Sequence, residues 1–418
     1  MKKHLALLAL LIIPALCSAA PANFVTVRGG AFIAPDGTPL LLRGINLGNW
    51  LVPEGYMFKF KKATSPRLIY TAFEQLLGPE ESQKFWTEFR DRYVTAKDIR
   101  FIKSLGLNSV RVPFNYRLFI SDDEPERIRT ANFKYLDNVV AWCKKEGVYV
   151  ILDMHCAPGG QTGDNIDDSY GYPYLFESPL AQRQAAMLWK FIANRYRKET
   201  IVIGFDLLNE PIPHFFDSTY FYPRLEPVYK KMVAAIREVD KNHICILGGA
   251  RWDGNFSVFG PPFDAKLAYT WHKYWCDTTD AMAQEYIDFR KKYNVPIWLG
   301  ESGENSDAWI GSFRRMCERN NIGWCFWPYK KMGSRSNMVN ITTPAHFDSV
   351  IAYADTVRMT FPQMRNRPDA AVVKQALADY LENCVLDKCT VNAGYLRALG
   401  IDETLIPAQN DNALHHNH

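Results

Sequence analysis

Eight short runs of buried-type residues recur along this chain, and amphipathic stretches separate most of them. The runs lie at 41–46, 108–113, 148–154, 202–208, 244–248, 267–272, 296–300 and 322–327. Continuously apolar strands that alternate with helices are typical of a parallel sheet. Eight is the number of strands that closes a barrel, so we predict an α/β fold of the (β/α)8 TIM-barrel type. An open, doubly wound sheet is the second candidate, although its glycine-rich phosphate-binding turn is absent after the first strand.

Helical patterns fill most of the segments between the predicted strands. They cover 96–105, 133–146, 180–197, 227–239, 280–293 and 307–320. We expect further helices near 66–77, 80–93 and 347–359, and a closing helix within 369–382. Ahead of the first strand, residues 24–27 and 31–33 predict a hairpin that would plug the barrel bottom. The long loops 47–95, 155–179 and 328–346 all follow strand carboxyl ends, the face on which barrels build active sites.

The first twenty residues carry the three-part pattern of a secretory signal peptide. Lys2 and Lys3 form a basic start, residues 5–16 are an apolar run, and small residues at 18–20 form a cleavage site. Cys17 offers a lipid-attachment alternative, which we rank lower because the bulky Leu16 precedes it. We therefore expect a secreted or periplasmic protein. Its parts would be a signal peptide at 1–20, one barrel domain at 21–390 and a tail at 391–418 that is partly ordered at most.

The composition excludes several classes of partner and site. The net charge is only +4, and no basic stripe of the kind that binds nucleic acid is present. No later segment has the roughly 18 consecutive apolar residues that a membrane span needs. Eight cysteines follow the signal peptide without paired CxxC elements, so we expect no metal site. Cys384 and Cys389 are close enough in sequence to form a disulfide, which export would permit. We expect a monomer.

Two glutamates end predicted strands and carry the strongest chemical signal. Glu210 follows Asn209 at the end of the fourth strand, and Glu301 ends the seventh strand. Both would project from the catalytic rim of the barrel, across its mouth from each other. Hydrolysis of a glycoside needs one protonated carboxyl to assist the leaving group and one ionised carboxylate to attack. The amide of Asn209 would hydrogen-bond the sugar 2-hydroxyl. A lone strand-end glutamate is more often a solvated loop residue, but the pair favours catalysis.

At these positions the chain resembles glycoside hydrolase family 5, of the clan whose catalytic glutamates follow strands four and seven. Asn209-Glu210-Pro211 matches the acid/base motif of the family, and Gly300-Glu301 matches its nucleophile. The resemblance begins at Asp36-Gly-Thr-Pro and Arg43-Gly-Ile-Asn46 and extends to the eighth strand. It implies net retention through a covalent glycosyl-enzyme, with no cofactor.

The resemblance also assigns roles to residues around the two glutamates. Arg111 matches the strand-two arginine that hydrogen-bonds the nucleophile, and His155 matches the strand-three histidine that lines the sugar subsite. His272 matches the strand-six histidine that contacts the sugar or the acid/base, and Tyr274 would hydrogen-bond Glu301. Trp327 matches the strand-eight tryptophan under the cleaved sugar.

A motif after the first strand is similar to the exo-β-1,3-glucanase branch of the family. It contains Asn46 and Trp50, which this likeness makes candidate substrate-binding residues, and residues 155–161 share the similarity. Glu54 either reaches the pocket or stays in the long loop, and we interpret Glu304 as a loop residue. Three tryptophans are equally consistent with subsite platforms and with core positions: Trp252, Trp275 and Trp309.

We therefore expect a retaining β-glycoside hydrolase that cleaves a β-glucan, 1,3- or 1,4-linked, by double displacement. A β-mannan is the second-ranked substrate. Two alternatives stay open: transfer of the sugar to another sugar instead of water, and a barrel that binds polysaccharide without cleaving it. Whether attack occurs at a chain end or inside the chain depends on whether the three long loops close one end of the cleft.

Overall fold

The computed structural model describes residues 24–407. The expected signal peptide, Cys17 and residues 408–418 of the expected tail lie outside this range. Within it, eight parallel strands form a closed barrel, which confirms the predicted fold. The barrel strands are β3 (Arg43–Asn46), β4 (Ser109–Asn115), β5 (Tyr149–Cys156), β6 (Val202–Asp206), β7 (Ile244–Gly248), β8 (Leu267–His272), β9 (Ile297–Glu301) and β10 (Gly323–Phe326). They are adjacent in chain order, and β10 pairs with β3 to close the ring.

The barrel bottom is covered by the hairpin that the sequence predicts. Strands β1 (Thr26–Arg28) and β2 (Ala31–Ile33) pair antiparallel. Val25 and Phe32 from this hairpin belong to one apolar cluster with inward-facing strand residues, including Ile151 and Ile203. Because the bottom is packed, ligands can reach the barrel only from the opposite face.

Twelve α-helices lie within the described residues. They are α1 (Pro66–Leu77), α2 (Pro79–Tyr93), α3 (Ala96–Ser104), α4 (Phe133–Glu146), α5 (Pro179–Tyr196), α6 (Ser218–Arg237), α7 (Gln284–Tyr293), α8 (Asp307–Arg319), α9 (Phe347–Ala354), α10 (Phe361–Arg365), α11 (Ala370–Asn383) and α12 (Ala393–Ala398). The largest difference from prediction is α6, which begins at Ser218 rather than at 227. The Asp217 side chain caps it by accepting a hydrogen bond from the backbone of Thr219. None of the helices within 24–407 combines the length and apolar character needed to cross a bilayer.

A small second sheet lies beside the barrel, and residues 391–407 are ordered. Strands β11 (Lys330–Met332), β12 (Val339–Ile341) and β13 (Thr390–Val391) form this sheet beside the barrel. Helix α12 then packs against α8 and fully buries Tyr395 and Leu396. These apolar side chains complete the core around α8.

The disulfide considered for Cys384 and Cys389 is absent. All eight cysteines among the described residues are free thiols. Cys384 Sγ lies 3.3 Å from the carbonyl oxygen of Leu381, and Cys389 Sγ lies 3.4 Å from that of Asn383. The bridge that the sequence allows is not formed, and each thiol faces a different backbone carbonyl.

Candidate active site

A cavity of about 900 Å³ opens at the carboxyl ends of the barrel strands. The loops after β3, β5, β6, β7, β8, β9 and β10 contribute to its lining. Among the lining residues are Glu54, Tyr56, His155, Glu210, Trp252, His272, Tyr274, Trp275, Glu301, Glu304 and Trp327. This is the face predicted from the strand order, and two of the three long loops, 47–95 and 155–179, contribute side chains to the pocket.

Glu210 and Glu301 meet in this pocket. Three atoms lie within 4.8 Å of one another: one carboxylate oxygen of each glutamate and one ring nitrogen of His272. Glu301 is the last residue of β9, whereas Glu210 stands four residues beyond β6 with a φ of 46°. A non-glycine residue in this left-handed region is strained, and such strain concentrates at functional sites. Both side chains are largely buried, so their charges act through protein rather than through water.

Arg111 supplies the positive charge beside Glu301. It is fully buried on β4, and its Nη1 donates to Glu301 Oε1. Its Nε donates to Asp206 Oδ2 at 2.8 Å, and Nη2 lies 3.2 Å from Asp153 Oδ1. Three carboxylates thus hold one rigid guanidinium, which fixes its direction toward the end of β9.

The two glutamates have different electrostatic surroundings. Burial raises the pKa of Glu210 well above its usual range, and the negative charges of Glu301 and Asp253 raise it further. Burial also raises the pKa of Glu301, but the charge of Arg111 opposes this rise. Tyr274 donates its hydroxyl hydrogen to Glu301 Oε2 at 3.0 Å, which further favours the ionised form. The site therefore favours a proton on Glu210 and a bare carboxylate at Glu301.

Two histidines and a tryptophan surround the pair. His272 Nδ1 lies 3.0 Å from Glu210 Oε1. His155 Nδ1 lies 2.8 Å from Asp153 Oδ2, and its ring stacks on Trp327 with centroids 5.5 Å apart. Burial lowers the pKa of His155 to about 3 and that of His272 well below its ordinary value. Both imidazoles are therefore neutral at ordinary pH.

Comparison with known proteins agrees with this geometry. The family model for cellulase (glycosyl hydrolase family 5) matches residues 72–333. The chain belongs to glycosyl hydrolase family 5. It is accordingly a glycoside hydrolase of the glucanase and cellulase type.

Proteins similar to this chain carry different names. A β-xylosidase of Phanerodontia chrysosporium is 30% identical, with 76% of this chain and 73% of that protein covered. Endoglucanase C of Acetivibrio thermocellus is 28% identical over 60% of this chain and 88% of its own. A probable glucan 1,3-β-glucosidase A of Aspergillus fumigatus is 27% identical over 56% of this chain and 55% of its own. A solved endogalactoceramidase shares the fold, with a TM-score of 0.59, 18% identity, and coverage of 90% and 84%.

Asn209, Asn46 and Trp50 lie outside the lining of this family 5 pocket. Asn209 Oδ1 accepts from Arg111 Nη2 at 2.9 Å, and its Nδ2 lies 3.3 Å from His155 Nε2. It is fully buried next to Glu210 in the sequence, and its carbonyl oxygen is already engaged by Arg111.

Asn46 and Trp50 have structural partners instead of a place in the pocket. The Asn46 amide donates to the carbonyl oxygens of Gly300 and Cys325, at 2.9 and 3.0 Å. Trp50 is 1% exposed, and its Nε1 donates to the carbonyl oxygen of Arg90 at 2.7 Å. The structure does not bring either side chain to the cavity. Trp252 and Trp275 do line it, whereas Trp309 stacks on Phe313 with ring centroids 4.6 Å apart.

One wall of the pocket was not foreseen as a unit. Tyr56 accepts a hydrogen bond from Trp327 Nε1 at 2.5 Å and reaches Glu304 Oε1 at 3.5 Å. Lys331 Nζ donates to both Glu304 oxygens, at 3.0 and 2.8 Å. Glu54 is 3% exposed, and its Oε1 has no hydrogen-bond partner among residues 24–407. An unpaired buried acceptor that lines a cavity is available to a ligand. Of the residues in this wall, the sequence suggested only Glu54 as one that could reach the pocket.

Glu210, His272 and Glu301 lie close enough together to hold a metal ion, and they are the one such cluster within residues 24–407. We interpret Glu210, His272 and Glu301 as an acid–base site instead. Arg111 already supplies the positive charge that Glu301 requires, and Tyr274 occupies its second oxygen.

Proposed function

We propose that this family 5 enzyme is a retaining β-glycosidase, with Glu210 as acid/base and Glu301 as nucleophile. The observation that carries the proposal is the separation of the two carboxyl groups, which lies within 4.8 Å between nearest oxygens. Retaining glycosidases hold the two groups roughly 5–5.5 Å apart, whereas inverting ones leave about 6.5–9.5 Å for a water molecule. The observed gap therefore supports the retaining arrangement.

The first step transfers the sugar to Glu301. The Glu210 proton passes to the glycosidic oxygen while a Glu301 oxygen attacks the anomeric carbon and the leaving group departs. Arg111 and Tyr274 hold the carboxylate in line for this attack. In the second step, Glu210 accepts a proton from water, and the resulting hydroxide displaces Glu301 with a second inversion.

We infer that the enzyme removes sugars from a chain end. The leaving group must lie on the side of the acid Glu210, where Trp252 lines the pocket and its backbone N–H donates to the carbonyl oxygen of Pro211. The cleaved sugar then lies on the opposite side, over Trp327 and against the wall of Tyr56 and Glu54. Hydrogen bonds join Tyr56 both to Trp327 and to Glu304 across this wall, which supports a pocket one sugar deep.

We propose a β-glucan, 1,3- or 1,4-linked, as the substrate, with β-mannan as the second candidate. The flat ring of Trp327 offers stacking to the apolar face of a sugar with equatorial hydroxyls. Glu54 offers an acceptor for hydroxyls at the far end of that sugar. The name of the β-xylosidase relative adds β-xylosides to the substrates worth testing.

Two measurements on the purified protein test this proposal. Proton NMR of an early time course should show the β-anomer as the first product, and an α-anomer would exclude the double displacement. End-labelled glucan and mannan oligosaccharides should release single sugars from the first minutes onward. Early release of longer fragments would contradict exo action.

The same experiments separate the two alternatives. At high substrate concentration, products longer than the substrate would reveal transfer to sugar, and no product at all would favour a binding barrel.

We also propose that the chain is exported, from the basic, apolar and small-residue pattern of residues 1–20. Amino-terminal sequencing of the protein recovered from outside the cytoplasm should begin shortly after residue 20. An intact Met1 would contradict export with cleavage.

A further inference from the structure

The loop after β7 brings a third buried carboxyl group, Asp253, against the acid/base. Asp253 is completely buried, and it ends a run of three consecutive left-handed residues, with φ values of 58°, 55° and 59° at 251–253. Such conformations are costly for residues that have a β-carbon. Three in succession persist only where surrounding contacts impose them. The contacts that impose them here lead to Glu210.

Asp253 contacts Glu210 by two routes. Its Oδ2 accepts a hydrogen bond from the backbone N–H of Glu210 at 3.1 Å. The same oxygen lies 3.4 Å from His272 Nε2, while Nδ1 of that ring lies 3.0 Å from Glu210 Oε1. His272 is thus held between the side chains of two acids. Nε2 makes no hydrogen bond with any of the residues 24–407, so the 3.4 Å contact is one that must tighten to become a hydrogen bond, as is common in catalytic sites without a bound ligand.

The carboxyl group of Asp253 has no cation beside it. Among residues 24–407, no arginine or lysine forms an ion pair with it, and its Oδ1 has no hydrogen-bond partner. A buried carboxylate without a cation takes up a proton. Burial and the nearby charge of Asp206 accordingly raise the pKa of Asp253 well above its ordinary value, against the more distant Arg111.

We propose that Asp253 is a positioning residue for Glu210, whose protonated carboxyl group donates from Oδ2 to His272 Nε2 and thereby keeps the imidazole proton on Nδ1. Nδ1–H then donates to Glu210 Oε1, whether Glu210 is protonated or ionised. This leaves Glu210 Oε2 as the oxygen that exchanges its proton with the substrate. The proposal rests on the acid/base role of Glu210.

The backbone opposite Asp253 is consistent with a fixed carboxyl group. A β-carbon at Gly248 would lie 1.9 Å from Asp253 Oδ1, so the end of β7 admits no side chain there. With Oδ1 packed against Gly248, Oδ2 has little freedom to leave the backbone N–H of Glu210.

The position of the imidazole proton is a direct test that needs no activity. Long-range proton–nitrogen NMR spectra of protein labelled with ¹⁵N-histidine distinguish a protonated ring nitrogen from a bare one. The His272 signals are assigned by their loss in His272→Gln. We expect neutral His272 with its proton on Nδ1. A proton on Nε2, or on both nitrogens, would overturn the proposal.

Asp253→Asn should reverse the tautomer. The Asn oxygen must face the Glu210 backbone N–H, so it can only accept from His272 Nε2, and Nδ1 is left as a bare acceptor. That acceptor stabilises protonated Glu210 and directs its proton away from the substrate. We expect the alkaline limb of the kcat/KM profile to move to higher pH. We also expect kcat for poor leaving groups to fall by about tenfold or more, against little change for a dinitrophenyl glycoside.

Asp240→Asn is the matched control. Asp240 is a buried carboxyl group beside the ring of His243, at the opposite end of the barrel. It should change neither the alkaline limb nor the dependence on leaving group. If Asp253→Asn behaves like this control while folded, the positioning role is refuted. If Asp253→Asn does not fold, the wild-type spectrum still decides. A wild-type protein without glycosidase activity would refute the proposed function but leave the tautomer measurable.

Discussion

Removal of the Tyr274 hydroxyl group should weaken the enzyme mainly at acidic pH. The hydroxyl donates to Glu301 Oε2 at 3.0 Å and therefore stabilises the ionised carboxylate. A hydrogen bond to a charged group contributes about 1.5–3 kcal/mol. Because about 1.36 kcal/mol corresponds to one pKa unit, Tyr274→Phe should raise the pKa of Glu301 by about one to two units. The pH dependence of kcat/KM reports this pKa in the free enzyme.

The sign of the shift makes the prediction sharp. Glu301 must be ionised to attack, so the acid limb of kcat/KM moves to higher pH in Tyr274→Phe. Below the limb, kcat/KM falls by about 10- to 100-fold, since each unit is tenfold in the ionised fraction. Above the limb, where both enzymes are ionised, the difference is much smaller. A uniform loss at every pH, with the limb unmoved, would refute the electrostatic role.

A tyrosine outside the pocket provides the control. Tyr196 donates its hydroxyl hydrogen to Asp137 at 2.8 Å, between helices α5 and α4 on the barrel exterior. Tyr196→Phe removes the same kind of hydrogen bond, so it should leave the pH profile unchanged. If it shifts the acid limb as Tyr274→Phe does, the shift reports a general loss of packing.

Three further predictions address the nucleophile, the pocket wall and the fold. With an activated glycoside and azide, Glu301→Ala should give the α-glycosyl azide, because the azide reacts with a single inversion. Glu210→Ala with azide should give the β-glycosyl azide, because two inversions occur. The same anomer from both variants would exclude the assignment. Glu54→Ala should lower kcat/KM for oligosaccharides by about 10- to 100-fold through loss of hydroxyl contacts, and unchanged kinetics would remove Glu54 from the sugar site. Lys330→Met leaves buried Asp98 without its ammonium partner at 2.8 Å, so denaturant unfolding should show a loss of about 3–5 kcal/mol with kcat unaffected.

The barrel was predictable because its signal is repeated eight times. Each strand is a short apolar run, and even an error of two residues at one end leaves the count intact. Helix α6 shows the limit, since Pro227 suggests a helix start, while the structure tolerates Pro223 and Pro227 inside a helix that Asp217 caps. Strands of two or three residues, such as β13, are too short for any periodicity to appear.

The site was predictable where its residues end strands or stand in a motif of the family. Glu301 and His272 are the last residues of β9 and β8, so the barrel geometry alone fixes their direction. Trp50 comes soon after a strand and is a substrate-binding candidate by the family likeness, but its indole nitrogen donates to the carbonyl oxygen of Arg90. Asp253 lies in a loop whose left-handed backbone no local pattern announces. Its part in the site depends on contacts with residues far away in sequence.

The number of acids around Arg111 explains why the two glutamates differ. Arg111 contacts three carboxylates, of Asp153, Asp206 and Glu301, so its single charge cannot compensate all of them. Burial raises the pKa of Asp153 and of Asp206 to about 7 despite these contacts. Glu210 forms no ion pair with Arg111, and its nearest neighbours include the charge of Glu301. A proton on Glu210 is therefore the least costly way to bury the pair. A shortage of cations would destabilise an ordinary core, but here it favours the protonated form of Glu210 that the proposed mechanism requires.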